Sequence, residues 1–327
     1  MNLESFRVED DEIGKKNAYI IKPEDVYDDM LKGLREGKIK GTTTYNYKID
    51  QCWTWRKQET NIITGYANEG KGVFLKQLCL IKALKEDAKF IFCSPEDFPP
   101  DEFYDDMIHT LTGRTTDKSF GQDRVVSERD YEEAFNMIKN NFIFLYIEPP
   151  HNSIKSTLEE FKRIHSKTPV DGCIIDPLLK FSRPKGMEEA RDDIYASYVG
   201  SICVDFTRQT NTSLHLVMHQ LTPQIQEDKK YPEPSMYRQK GGGSWADGFD
   251  NCLAIWRPNY AIDKFDSEVQ FSSQKIKKQK LVGIPQKMKM KFDRKSNRYI
   301  DFDTSEPIFP FDEIFYGKKL LNKESLW

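Results

Sequence analysis

The stretch that most limits what this chain can fold into lies between Asn61 and Leu78. A short apolar run, Asn61-Ile-Ile-Thr64, leads into Gly65-Tyr-Ala-Asn-Glu-Gly70-Lys71-Gly72, and the helical pattern Val73-Phe-Leu-Lys-Gln-Leu78 follows at once. A strand, a glycine loop and a helix start, in that order, make a cradle for phosphate. The glycines let backbone N–H groups turn inward, the helix end adds positive potential, and a lysine reaches the outer phosphoryl oxygens. Gly65, Asn68, Glu69, Gly70, Lys71, Gly72 and Val73 are therefore candidate nucleotide-binding residues, with ATP or another nucleoside triphosphate and Mg2+ as the expected ligands. An ordinary glycine turn is the alternative, though it has no need of a strand and a helix on its two sides. Position 72 departs from the pattern: it calls for Ser or Thr to hold magnesium, and glycine has no oxygen to offer. Either magnesium is held through water and Asp176, or nucleotide binds with little hydrolysis.

Around this loop the chain alternates short apolar runs with amphipathic segments, which is how a parallel sheet flanked by helices is written in sequence. Strands are expected at Thr60–Thr64, Lys89–Cys93, Phe142–Ile147, Gly172–Ile175, Ser213–Met218 and Asn251–Trp256. Helices are expected at Lys71–Lys85, Pro100–Leu111, Asp130–Lys139, Ser153–His165 and Asp192–Arg208. Val269–Lys280 and Lys287–Phe292 read as an antiparallel pair. The fold class is thus α/β, with a mostly parallel central sheet. Ahead of it Pro23-Glu24-Asp25 opens a helix that Gly37 closes, with Val26, Met30, Leu31 and Leu34 on one face. Such a stripe needs cover, from its own domain or from a neighbouring subunit. The expected divisions are an N-terminal segment with linker helix over 1–45, the nucleotide-binding domain over 46–303, and a tail over 304–327. The tail aromatics, Phe309, Phe311, Phe315, Tyr316 and Trp327, suit either docking on a partner or packing on the chain's own core.

The net charge of -3 rules out a positive field over the whole surface, so any nucleic-acid contact must rest on local basic segments. Six scattered cysteines without a CxxC pair read as reduced core thiols. The start, MNLESFRVEDDEIGKK, has no apolar leader segment, and no run of apolar residues is long enough to span a bilayer. The expected location is the cytoplasm, or the host cytoplasm for a viral protein, with no membrane partner.

Open parallel sheets bind ligands at the carboxyl ends of their strands, and beside the phosphate loop three segments end there with chemistry to offer. Asp176 closes Gly172-Cys-Ile-Ile and suits magnesium, the bland alternative being a buried turn acid before Pro177. Glu96 follows the second strand and suits activation of a water, with Asp97 as its adjacent rival and a solvated loop acid as the alternative. Gln220, and behind it His219, follows Leu214-His-Leu-Val-Met and could sense a γ-phosphate; a satisfied turn residue would read the same. The segment from Thr222 to Ser244 is too long for a plain connection. Its Lys229, Lys230, Arg238, Lys240, Gly242 and Gly243 suit contact with a nucleic-acid backbone, unless it is merely a solvated loop. Lys275–Lys280 is basic too, as a lysine-protected edge strand would be.

Taken in order, these blocks resemble the helicase domain of the DnaB and Twinkle family of ring-shaped replicative DNA helicases, over roughly residues 40–300. The matching blocks are the phosphate loop, Ser94-Pro-Glu96, the run from Phe142, Ile174-Ile-Asp176-Pro, His219-Gln220-Leu221, and Arg238 through Gly243-Ser244 to Asp250-Asn251. The resemblance implies a RecA-like core, ATP between neighbouring subunits, a homo-oligomer that is a hexameric ring around single-stranded DNA, and a primase, polymerase or loader as further partners. It implies Glu96 as catalytic glutamate, Asp176 as the metal-positioning acid and Gln220 as sensor. It also places Lys278 and Lys280 where the family carries a Lys-x-Arg pair that enters the neighbour's site. Lys280 is cationic but lacks the planar fork that clasps a phosphate at two points. Residues 1–45 are too few for the family's N-terminal domain, and the helix at Pro23–Glu36 falls where its linker helix packs on the adjacent subunit. A recombinase-like or degenerate protein that holds single-stranded DNA with little hydrolysis is the second reading, and a P-loop switch with no nucleic acid is the third.

Overall fold

The computed structural model describes residues 20–221 and 230–324, with side chains to residue 317. Residues up to Lys40 and residues from Gly41 onward form two separate units. In the first, a 3₁₀ turn at Pro23–Val26 runs into α1 (Tyr27–Glu36), and Gly37 ends it with φ 85°, a left-handed value that glycine adopts freely. Asp28 and Asp29 in the first turn and Arg35 in the last suit the helix dipole. Met30 and Leu34 of the predicted stripe are 60% and 80% exposed.

The second unit is built on one nine-stranded sheet in the order β3-β2-β4-β5-β1-β6-β7-β8-β9. After α2 (Tyr47–Cys52), the chain runs β1 (Thr60–Gly65), α3 (Lys71–Glu86), β2 (Phe90–Cys93), α4 (Pro100–Thr112), α5 (Glu128–Ile138) and β3 (Phe142–Phe144). It continues with α6 (Ile154–Lys167), β4 (Gly172–Ile175), α7 (Asp192–Thr210), β5 (Ser213–His219), α8 (Gly243–Gly248) and β6 (Asn251–Trp256). The six strands so far are all parallel. Then β7 (Glu268–Ile276), α9 (Gln279–Val282), β8 (Lys287–Asp293) and β9 (Arg298–Asp301) add an antiparallel extension, and α10 (Phe311–Glu324) follows.

Strand residues alternate between two cores, as a period of two requires. Ile63, Phe90, Phe92 and Ile255 face one layer with α3, α4 and α5, while Ile62, Ile91, Cys93 and Cys252 face the other with α6, α7 and α8. All six cysteines are buried free thiols. Phe309, Phe311 and Phe315 are buried in the first core, so of the two readings of the tail these rings take the chain's own core; Trp327 lies outside the described residues.

Two expected strands are corrected. The third ends at Phe144, not Ile147. The seventh ends at Ile276, not Lys280, because its partner β6 begins opposite it at Asn251 and the ladder has nothing left to pair with. Lys277–Leu281 instead turn through α9, and residues 41–54 and this turn hold each other: Gly41 N–H donates to Leu281 O (2.8 Å), Thr54 N–H to Val282 O (2.7 Å) and Ile284 N–H to Gln51 O (3.1 Å).

Candidate nucleotide site

The parallel strands bring β1, β2, β4 and β5 to one carboxyl edge, and with them the phosphate loop, Glu96, Asp176, His219 and Gln220. The loop is formed as the sequence predicts. Gly70 holds φ 86° at the start of α3, and the Tyr299 hydroxyl of β9 donates to its carbonyl at 2.9 Å. Lys71 is buried and donates to the Tyr66 carbonyl across the loop at 2.6 Å. Burial presses its ammonium below the usual lysine range, against the opposing charges of Asp176, Glu69 and Glu96. Glu69 has no exposure at all and does not face a ligand as a loop residue might. Its two oxygens accept the backbone N–H groups of Tyr66 (2.9 Å) and Arg257 (3.3 Å), so it pins the loop to the end of β6. Burial pushes the Glu69 carboxyl up to about 7.

Asp176 is half-buried at the end of β4, beside the first turn of α3. Burial first, and then the charge of Asp97, push its carboxyl up to about 7, with Lys71 and Lys76 pulling the other way. A Cβ placed on Gly72 would lie 2.5 Å from Asp176 Oδ2. The absent side chain at position 72 is therefore matched by a carboxylate that leans into its place. No group of three or more potential metal-ligating side chains exists among the described residues. A single carboxylate beside a phosphate loop fits magnesium, which is usually held by one or two carboxylates, water and the nucleotide's own oxygens.

Glu96 and Asp97 separate clearly. Asp97 accepts from Ser94 Oγ (2.7 Å) and from Lys76 Nζ (2.7 Å), and the same ammonium reaches Asp106 at 3.2 Å. Glu96 is half-exposed with one loose partner, Lys180 Nζ at 3.7 Å, and it lies close enough to Lys71 to act on its charge. His219 is half-buried, and burial with the charges of Lys71 and Lys180 brings its imidazole down to about 4, so it is neutral at neutral pH.

Gln220 is buried, and its side-chain amide is taken up by two neighbours. Its Nε2 donates to Thr64 Oγ1 (2.8 Å) and to the Ser235 carbonyl (2.9 Å), and its Oε1 accepts from Ser235 N–H (3.4 Å). The amide thus ties the end of β1 to the segment after residue 230. Tyr66 makes the same connection from within the loop: its hydroxyl donates to the Pro232 carbonyl at 3.0 Å, and its ring lies 5.3 Å from that of Tyr231. Sequence reading passed over Tyr66, although a large ring in a loop of small residues was the available signal. Tyr299 gave no signal, since its bond to Gly70 spans 229 positions.

The expected nucleic-acid residues lie unevenly. Lys229 falls outside the described residues. Lys230 is half-buried, and Arg238 is exposed and near the Tyr66 hydroxyl. Lys240 has Asp192 Oδ2 at 3.8 Å, Gly242 has φ 60°, and Gly243 begins α8. Lys275 is turned inward, donating to the Ala246 and Phe249 carbonyls at the end of α8. Lys278 and Lys280 are not brought to Lys71. Because β7 runs antiparallel, they stand at the amino ends of the parallel strands, across the sheet from the loop. Lys278 Nζ lies 3.7 Å from buried Glu59, whereas exposed Lys280 makes no ion pair with any described residue.

A solved ATPase domain superposes with a TM-score of 0.70 at 16% identity, over 86% of this chain and 99% of that one. A DnaB-like replicative helicase, solved with its interactions with primase, agrees at 0.68 and 17% identity, over 86% of this chain and 68% of the other. The chain has the fold of a DnaB-like helicase domain. Neither a protein-family model nor a curated protein matches the chain in sequence. The expected RecA-like α/β core is therefore found. Among the described residues no helix is long and apolar enough to cross a membrane.

Proposed function

We propose that the chain is an ATP-dependent DNA helicase subunit of the ring-forming replicative type, which moves on single-stranded DNA and separates the duplex. The carrying observation is the double tie from the nucleotide loop to the basic segment, through Gln220 to Ser235 and through Tyr66 to Pro232. That segment carries Lys230, Arg238, Lys240 and three glycines, which suit contact with a nucleic-acid backbone, so the two ties would carry a change at the phosphate loop to it.

On this reading, the loop N–H groups and Lys71 hold the triphosphate of ATP. Asp176 would help to hold Mg2+, which when bound would spread the charge that develops on the transferred phosphoryl group. Glu96 takes the proton of the attacking water. It is chosen over Asp97 because Asp97 is already held by Ser94 and Lys76. Gln220 relays the state of the loop to the segment that runs through Lys229, Lys230, Arg238, Lys240, Gly242 and Gly243 and grips the DNA backbone. Lys278 and Lys280, at the opposite edge, serve the neighbouring subunit in a head-to-tail hexamer, and α1 with its exposed Met30 and Leu34 docks on that neighbour. One protein of this fold is a replicative helicase solved with its interactions with primase, so a primase, polymerase or loader is the partner class to examine in the cytoplasm.

Gly72 favours a second reading, a nucleotide-gated single-stranded-DNA-binding protein with little hydrolysis. ATP hydrolysis by the full chain, with and without single-stranded DNA, decides between them. Strong stimulation by DNA that is lost in both Lys71→Ala and Gln220→Ala supports the motor. Salt-sensitive DNA binding that responds to nucleotide without turnover supports the gated binder.

A further inference from the structure

We propose that Lys76 is a positioning residue for hydrolysis: through Asp97 it holds the turn that carries Glu96, so that the glutamate stands at the phosphate loop without a firm contact of its own. The inference rests on the reading of Glu96 above and deepens it. Lys76 lies in α3 among the buried residues Phe74, Leu75, Gln77 and Leu78, and is itself only 7% exposed. An apolar side chain would fill that place without taking an ammonium out of water. Buried ion pairs are often no better for stability than apolar residues of the same volume, so packing alone does not account for a lysine here.

Its partners account for it. Lys76 Nζ donates to Asp97 Oδ1 (2.7 Å) and to Asp106 Oδ2 (3.2 Å), and lies 5.1 Å from the centre of the Phe103 ring. Asp97 in turn closes the 3₁₀ turn Pro95–Asp97 twice over: its other carboxylate oxygen accepts from Ser94 Oγ (2.7 Å), and its N–H donates to the Ser94 carbonyl (3.1 Å). On the far side the Asp176 N–H donates to the Cys93 carbonyl at 3.1 Å, which ties the approach to the turn to the end of β4. Glu96 stands in the middle of this turn. Its side chain has one partner among the described residues, Lys180 Nζ at 3.7 Å, beyond hydrogen-bond reach. The place of Glu96 is therefore inherited from the turn, and the turn is held by Asp97 and Lys76. Burial would lower the Lys76 ammonium, but Asp97 and Asp106 hold it above the ordinary lysine range, so the cation is present at neutral pH. Without it, the Asp97 carboxylate, whose side chain is 24% exposed, keeps a charge with too few partners and gains by turning to water, which draws the turn with it.

A double-mutant cycle with Glu96 tests this, on the full chain, with ATP turnover and the affinity for a fluorescent nucleotide measured side by side. Lys76→Met, which keeps the length and removes the charge, and Asp97→Ala are each made in the wild-type and in the Glu96→Gln background, with Lys76→Arg as the conservative control. In the wild-type background both should lower kcat by about 10–10²-fold, the cost of a catalytic group displaced by about an ångström, while nucleotide affinity is unchanged. Lys76→Arg should recover most of the rate. In the Glu96→Gln background the same substitutions should cost little more, because misplacing a carboxylate that is already gone changes nothing. A general loosening of the fold would instead lower the rate in both backgrounds and weaken nucleotide binding. Equal losses in the two backgrounds, or a wild-type rate in Lys76→Met, overturn the inference and leave Glu96 in its role. If Lys76→Met does not fold, the Asp97→Ala pair decides by the same comparison. A wild-type chain that does not hydrolyse ATP, or Glu96→Gln as fast as wild type, overturns the reading of Glu96 and the inference with it.

Discussion

At the amino end of β1 and its neighbour β6, Glu59 and Asp250 are buried with donors on every oxygen. Glu59 accepts from Arg56 Nη1 and from Asn251 Nδ2, each at 2.9 Å. Asp250 accepts from the Thr60 N–H and hydroxyl, both at 3.1 Å, and from Lys277 Nζ at 3.0 Å. Burial alone would raise the Asp250 carboxyl, but these partners hold it below the ordinary range. At the carboxyl edge of the same sheet, Glu69 and Asp176 are far less provided for. Glu69 has one backbone N–H on each oxygen and no ion pair with a described residue, Asp176 has no donor among the described residues, and both carboxyls are pushed up to about 7. The same residue types are struts at one end and, at the other, a loop pin and an acid with no donor among the described residues. What differs is the charge of the partners: Arg56 and Lys277 bring cations to Glu59 and Asp250, whereas Glu69 has backbone N–H groups alone and Asp176 no donor among the described residues.

The largest expected effect tests whether the under-supplied end is where chemistry happens. Glu96→Gln should slow ATP hydrolysis by about 10²–10⁴-fold, the usual worth of a positioned general base, while a fluorescent nucleotide still binds. Equal rates in variant and wild type would remove Glu96 from the mechanism. Next comes Lys280→Ala, which carries the comparison across the sheet. If the exposed lysine works in the neighbour's site, turnover falls by up to about 10³-fold, and Lys280→Arg, which restores the planar fork, raises it above wild type. Mixing Lys280→Ala with Lys71→Ala subunits then regains activity, because some interfaces carry both intact groups. A defect that mixing does not relieve would place Lys280 in its own subunit's fold.

Much of this division was legible in the sequence. Glycines, a lysine and flanking periodicity specify a phosphate loop locally, and the strand-end acids follow from the rule that parallel sheets open at one edge. What the Glu69 side chain does was not legible, because its carboxylate turns inward to a residue 188 positions away at Arg257. The amino-end cluster was not legible at all. Glu59, Asp250 and Lys277 form one set only after β6 is laid beside β1 and β7 returns antiparallel, and no local pattern announces that register. For the same reason the end of β7 was placed too late: Lys275–Lys280 was read as alternating basic and other residues like an edge strand, but the partner strand has already ended.

Stability measurements sharpen the contrast at a smaller scale. Asp250→Ala strands the buried Thr60 N–H and should cost about 2–3 kcal/mol by urea denaturation, with nucleotide affinity unchanged. A loss of nucleotide binding at equal stability would contradict its assignment as a strut. The two ends should also answer pH in opposite directions. Between about pH 4.5 and 7 folded Glu69 keeps a proton that the unfolded chain has released, so stability falls as pH rises through that window, by at most about 3 kcal/mol. Asp250 has the lowered carboxyl, so its contribution is full above the ordinary aspartate range and is lost as pH falls through its own. Glu69→Met removes Glu69's share of the first slope, leaving that of Asp176, and does not touch the second; identical profiles in variant and wild type would refute the link.

The smallest effect separates the two lysines that the turn after β7 carries. Lys278 lies 3.7 Å from Glu59 Oε1 and its side chain is 43% exposed, while Arg56 and Asn251 already serve that carboxylate at 2.9 Å. Water competes for such a pair, so Lys278→Ala should cost under about 1 kcal/mol in the isolated chain. That small number is informative because Lys278 both touches the well-supplied end and shares its turn with Lys280. A cost near zero with turnover reduced means that the strut needs only Arg56 and that Lys278 belongs with Lys280 to the neighbour's site. A cost of several kcal/mol with turnover intact in the surviving fraction means the reverse, and leaves Lys280 to act across the interface alone.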